Sequence, residues 1–173
     1  MVALTPDCDS CAALCCVALA FDKGDMFAFD KPAGEACRHL QGPRCGIHAG
    51  LEGAGQMGCV HYQCEGAGQR VVQEVFNGES WQQRPELLAP MLVAFARMRA
   101  VHRQLVLLEA TKALPLSETQ KQAVARFQDR LTPKDRLTTE MLAALENSGV
   151  FQALPAFYQS LRAIATAASE GST

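Results

Sequence analysis

The sequence predicts a mainly α-helical protein, in which a small cysteine-rich, metal-organised N-terminal lobe packs on an antiparallel helical bundle. Three observations carry this expectation. All eight cysteines lie between Cys8 and Cys64. The composition changes near residue 66: the first part also holds nine of the thirteen glycines and three of the four histidines, and the second holds no cysteine. Beyond that point apolar residues recur at helical spacing almost to the end. The expected division is therefore 1–66 for the lobe and 67–173 for the bundle. With 173 residues, 49% hydrophobic and 20% charged, the chain can bury a core and is not disordered.

The lobe comes first. Its opening residues, MVALTPDCDS, carry two Asp and no Lys or Arg. That is not the basic start of a secretory signal. No apolar run reaches the ~18 residues of a membrane-spanning helix. A reducing cytoplasm is expected, where clustered cysteines are metal ligands before they are a disulfide framework or redox thiols. Thr5 is expected to cap a helix with Pro6 as its first residue, which puts Cys8, Cys11 and Cys15 on one face. Cys16 then lies about 100° round. Because adjacent side chains diverge, Cys15 and Cys16 should serve different ions, or one should bridge. The lobe has too little regular periodicity to build a core of its own. A metal ion, whose binding energy becomes folding energy, would organise it.

The bundle follows in order. Gly66–Gly68 is a turn, after which Val71, Val72, Val75 and Phe76 mark a helix stopped by Asn77-Gly78. Pro85 suits the first turn of a long helix. Its seam is Leu88, Met91, Phe95, Met98, His102, Leu105 and Leu108, ending near Leu114-Pro115, with His102 as a core or rim residue. Ser117 and Gln120 form a capping box for a helix over 118–131, with Val124, Phe127 and Leu131 inward. Thr138 or Thr139 opens the next helix, through Met141, Leu142 and Leu145, with Gly149 just past its end. Pro155 begins the last, with Phe157, Leu161, Ile164 and Ala168 on one stripe. A short polar tail, 169–173, closes the chain. The first turns of the long helix are apolar on two sides, at Leu87, Leu88, Met91 and Leu92. The lobe folding back through Trp81, or a second copy of the chain, should cover that surface.

The chemistry sits in the cysteine spacing: Cys8-x2-Cys11-x3-Cys15-Cys16-x20-Cys37-x7-Cys45-x13-Cys59-x4-Cys64. Zinc and iron take thiolates in tetrahedral sets of four. Eight thiolates fill two such sites, so about two zinc ions are expected. His48, three residues after Cys45, is a ninth candidate ligand. His39 and His61, each two residues after a cysteine, are expected behind the ligands or on the surface.

These residues carry a resemblance. Cys8-x2-Cys11-x3-Cys15-Cys16, then Cys37-Arg38-His39-Leu40 and Arg44-Cys45-Gly46-Ile47-His48, resemble a cysteine-cluster family described as zinc- or iron-chelating. Asp30–Cys37 and Gly58–Gln69 are similar to the Cys-rich N-terminal region of certain bacterial pentapeptide-repeat proteins. The likeness spans about residues 8–81 and fades in the helical half. Gln63 and Glu65 stand where that pattern has an Asp and an aromatic residue. No repeated A-[D/N]-L-x-x pentapeptide follows Gln69, so neither a pentapeptide helix nor DNA-gyrase mimicry is implied. What the resemblance implies is metal chelation by the cysteines, and no reaction.

The expected function is that of a metal-binding protein, holding zinc, with a metal-handling or partner-binding role. An iron–sulfur protein in electron transfer or maturation is the alternative. A metal-dependent or thiol enzyme with an open coordination position is the third reading. No Ser/His/Asp set, P-loop or H-E-x-x-H motif argues for an enzyme. The partners expected are the metal ion and a protein, with the chain a monomer or homodimer. Sixteen Lys and Arg against eighteen Asp and Glu give net −2. That balance lacks the basic excess of a nucleic-acid binder, and no membrane partner is expected.

Overall fold

The computed structural model describes residues 2–134, 137–164 and 166. The protein is mainly helical. Helix α1 spans Leu14–Ala18, α2 Met57–His61 and α3 Ala67–Arg70, which widens into a π turn over Val71–Val75. Then come α4, Leu88–Thr111; α5, Glu118–Leu131; α6, Thr139–Glu146; and α7, Val150–Ser160. A two-residue hairpin, β1 (Leu40–Gln41) and β2 (Arg44–Cys45), pairs Leu40 with Cys45 and Gln41 with Arg44.

Helix α4 is the centre. Its 24 residues run about 36 Å at ~1.5 Å per residue, and α1, α3, α5 and α6 all pack on it. The expected seam is the buried one: Met91, Phe95, Met98, His102, Leu105 and Leu108 are all buried. A 3-10 turn over Pro85–Leu87 leads in. Pro90 falls inside the first turn of α4, where a missing N–H removes no helical bond.

Two apolar clusters sit along α4. One joins Met91, Ala94, Phe95 and Met98 to Ala67, Val71, Val72, Leu137 and Leu142, and to Ala12 and Leu14 of the N-terminal segment. The other joins Val101, Leu105 and Leu108 to Val124, Leu131, Val150, Leu154 and Leu161. The first cluster crosses the compositional boundary at residue 66. Trp81 packs against it half-buried, and its Nε1 donates to the Ala12 carbonyl at 2.7 Å.

The local signals of the bundle read through to the structure. Ser117 accepts from the Gln120 N–H at 3.3 Å, and the Gln120 side chain accepts from the Ser117 N–H at 2.9 Å. Thr138 caps α6 by accepting from the Met141 N–H at 3.2 Å. Two expectations move. Gly149, at φ 75°, stands at the N-cap of α7 rather than ending α6, which stops at Glu146. Helix α7 accordingly begins at Val150, and Pro155 lies inside it. The reason is burial: Val150 and Leu154 insert into the second cluster, which outweighs the one helical bond that Pro155 cannot make. Ala168 and the tail 169–173 lie outside the described residues.

The N-terminal segment differs more. No helix starts at Thr5. Asp7 caps a 3-10 turn over Cys8–Ser10, with its Oδ1 accepting from the Asp9 N–H at 3.1 Å. Cys11 is extended, and Ala13 at φ 52° breaks the chain before α1. Cys8, Cys11 and Cys15 therefore do not share one helix face. Phe21 and Phe27 stack at 4.2 Å, with Phe29 edge-on to Phe21 at 5.3 Å. This small aromatic packing was not among the sequence expectations.

Candidate metal centre

Each cysteine is placed by its own local structure. Cys8 opens the 3-10 turn, and Cys15 and Cys16 sit on α1. Cys45 is on β2 and Cys59 on α2. Cys37 and Cys64 precede β1 and α3: the Cys37 carbonyl accepts from Leu40 N–H at 2.9 Å, and the Cys64 carbonyl from Ala67 N–H at 3.0 Å. All eight are free thiols; Cys8 and Cys59 are exposed and the rest half-buried.

Packing and backbone contacts tie several of them together in two sets. In the first, the 3-10 turn is tied to α3 and the π turn. Gln69 Nε2 donates to the Thr5 carbonyl at 3.1 Å, and Gln73 Nε2 to the Ser10 carbonyl at 3.0 Å. Cys11 lies so close to α3 that a Cβ on Gly68 would stand 2.5 Å from its Sγ. Cys11, Cys15 and Cys64 pack on the same apolar cluster. The second set is joined through the backbone. The Cys37 N–H donates to the Cys16 carbonyl at 2.9 Å, and Cys45 pairs with Leu40, three residues after Cys37.

The electrostatics of the two sets overlap at Cys15, which acts on Cys8, Cys11 and Cys59 alike. Burial raises the Cys8 thiol, and the charges of Cys15 and Cys64 push the same way. Burial pushes Cys11 up to about 12, again with Cys15 and Cys64 nearby. Burial also raises Cys59, helped by Cys15, Cys37 and Cys45. The sets adjoin at Cys15–Cys16; the neighbouring Cys16 thiol first, and burial second, raise the Cys15 thiol.

Lys31 is a residue that the spacing gave no means to find. It is buried, and its Nζ donates to the carbonyls of Val17 (3.0 Å), Leu19 (2.6 Å) and Pro32 (3.0 Å). Burial lowers its pKa, while the charges of Cys37 and Cys16 oppose that. It closes the C-terminal end of α1 and sets a positive charge beside the second set. The histidines stand further out. His48 is exposed in a 3-10 turn and His61 is exposed at the end of α2. His39 is half-buried, edge-on to Phe29 at 5.5 Å.

Among the described residues, no three His, Cys, Asp or Glu side chains stand together closely enough to hold a metal ion. Coordination would require the thiols of each set to turn to a common centre. Two features fit such an ion. Tyr62, two residues before Cys64, buries its hydroxyl with no hydrogen-bond partner. A cleft of about 400 Å³, lined by Gln63, Cys64, Glu65, Ala96, Arg99 and Arg103, opens the Cys64 side to solvent.

Among the described residues, no helix is long and apolar enough to cross a membrane. No family model matches the chain, and no solved structure matches it. The chain is similar to "Uncharacterized protein YybG" of Bacillus subtilis (strain 168), with 35% identity over 144 residues, 83% of this chain and 52% of that protein. The chain thus spans about half the length of that curated relative.

Proposed function

We propose that this protein binds metal ions, zinc in the first place, through thiolates of its N-terminal lobe. On this reading Cys8, Cys11, Cys15 and Cys64 hold one ion, and Cys16, Cys37, Cys45 and Cys59 hold the other. The observation that supports it is the approach of free thiols from separate segments to α1, with Cys11, Cys15 and Cys64 on one apolar cluster and Cys37 held to Cys16 through the backbone. Four thiolates per ion complete a tetrahedral shell and leave no open position, which favours a structural or metal-handling role over catalysis. His48, exposed and outside both sets, is then not needed as a ligand. A bound ion would supply fixed positive charge and folding energy to the segment around it.

The test is elemental analysis of protein purified without oxygen, with thiol titration of the folded chain. About two zinc per chain and eight protected thiols are expected. One ion with four reactive thiols would reduce the reading to a single site. A brown protein carrying iron and sulfide would replace it with the iron–sulfur reading.

A further inference from the structure

Among the described residues, the buried side-chain atoms without a hydrogen-bond partner are Tyr62 Oη and both ends of the Gln56 amide. The two residues bracket α2: Gln56 stands at its N-cap and Tyr62 at its C-cap. Gln56 is 2% exposed. Its backbone is fully used, the N–H on Leu51 and the carbonyl on Cys59 and Val60. Only the amide is left over. The Arg99 guanidinium lies over the Tyr62 ring, 5.0 Å from its centroid. A buried donor without an acceptor is costly, and Phe or Leu would fill either place without that cost. What both positions share is a cysteine nearby in the chain, Cys59 three residues after Gln56 and Cys64 two after Tyr62, whose thiol would have to turn to reach the unpaired donor.

We propose that Tyr62 and Gln56 are positioning residues for metal-bound thiolates, one for each set: the Tyr62 hydroxyl donates to the set containing Cys64, and the Gln56 amide N–H to the set containing Cys59. The proposal rests on the metal-binding reading above. A neutral thiol is a poor acceptor, whereas a metal-bound thiolate carries negative charge and accepts strongly. Donors behind the ligands hold them in orientation and retain the ion. Burial raises the Tyr62 hydroxyl, Arg99 opposes that, and the charges of Cys15, Cys64 and Cys11 add to it.

The test loads the full chain with Co(II), whose sulfur-to-metal absorption reports the thiolates directly. Tyr62→Phe and Gln56→Leu should each shift that band for about half of the bound metal. Each should also speed metal release to a chelator about tenfold. Thermal unfolding of the metal-free chain should not fall in either variant, since each removes an unpaired group. In the unsubstituted protein, Zn(II) loading should move the near-UV tyrosine absorption, and that change should be absent in Tyr62→Phe. Normal Co(II) uptake with an unchanged band and release rate in both variants would overturn this proposal alone. Failure of the unsubstituted chain to take up Co(II) or Zn(II) would overturn the metal reading with it.

Discussion

Arg70 and His102 place two polar side chains where the rest of the junction is apolar. His102 is fully buried; its Nδ1 faces the Glu65 carbonyl and its Nε2 lies 3.4 Å from Arg70 Nη1. Arg70 Nε in turn bonds both oxygens of Glu74 at 2.9 Å. The carbonyl needs a donor, so Nδ1 carries the proton and Nε2 turns its lone pair to the guanidinium. The ring is neutral in this arrangement. Burial holds its pKa below the ordinary 6.5, and Arg70 adds to that. Above about pH 6.5 the unfolded chain is also neutral at this position, and the stabilisation is complete. As pH falls below that value the unfolded histidine takes a proton first, so stability is lost until the folded ring titrates as well. Urea unfolding at pH 7.5 and 5.5 should show this loss, and the loss should be smaller in His102→Gln. Equal losses in the two proteins would mean that His102 is not the titrating group. The sequence places His102 on the seam by spacing alone. Its partners come from residues 65 and 70, more than thirty positions away, which no pattern in α4 announces.

The elements divide by how locally their signals act. Helices α5 and α6 are set by caps three residues long, and their starts are legible at Ser117 and Thr138. Ser117→Ala removes one side of the capping box and should cost about 1 kcal/mol. A urea midpoint unchanged from the unsubstituted protein would show that the box carries no weight in the whole chain. Helix α7 is the counter-example. Pro155 reads as a helix start, yet the chain begins its helix five residues earlier, after the left-handed turn at Gly149. Two buried side chains decide that, and burial is a tertiary fact. The 3-10 turn at Cys8–Ser10 is similar: Asp7, Gln69 and Gln73 hold it from both sides, and two of the three come from distant sequence.

At the scale of the molecule, the N-terminal segment and the helices share one core. Leu14 is fully buried in the cluster that contains Phe95, Met98 and Leu142, and Trp81 reaches from the connection to the Ala12 carbonyl. Leu14→Ala should therefore lower the stability of the whole chain by ~2–5 kcal/mol. Unfolding followed by Trp81 fluorescence and by far-UV circular dichroism should give one coincident transition, before and after the substitution. A Trp81 signal lost well before the helical signal would mean that the segment melts as a unit of its own. The docking also gives the apolar start of α4 a cover, since Leu87 and Trp81 both pack on that cluster.

The sequence by itself determined the helical character, the α4 seam, the caps of α5 and α6 and the confinement of every cysteine to the first 64 residues. Those features depend on periodicity and on contacts within a few residues, which a linear reading sees. Only the tertiary structure decided which cysteines become neighbours, where Lys31 spends its charge and how Tyr62 and Gln56 come to be enclosed without partners. The N-terminal segment has little periodicity, so its course is set by long-range contacts: Cys11 against Gly68, the Cys37 N–H on Cys16, Trp81 on Ala12. Such contacts form when chain segments far apart in sequence are packed together, and residue spacing carries no record of them.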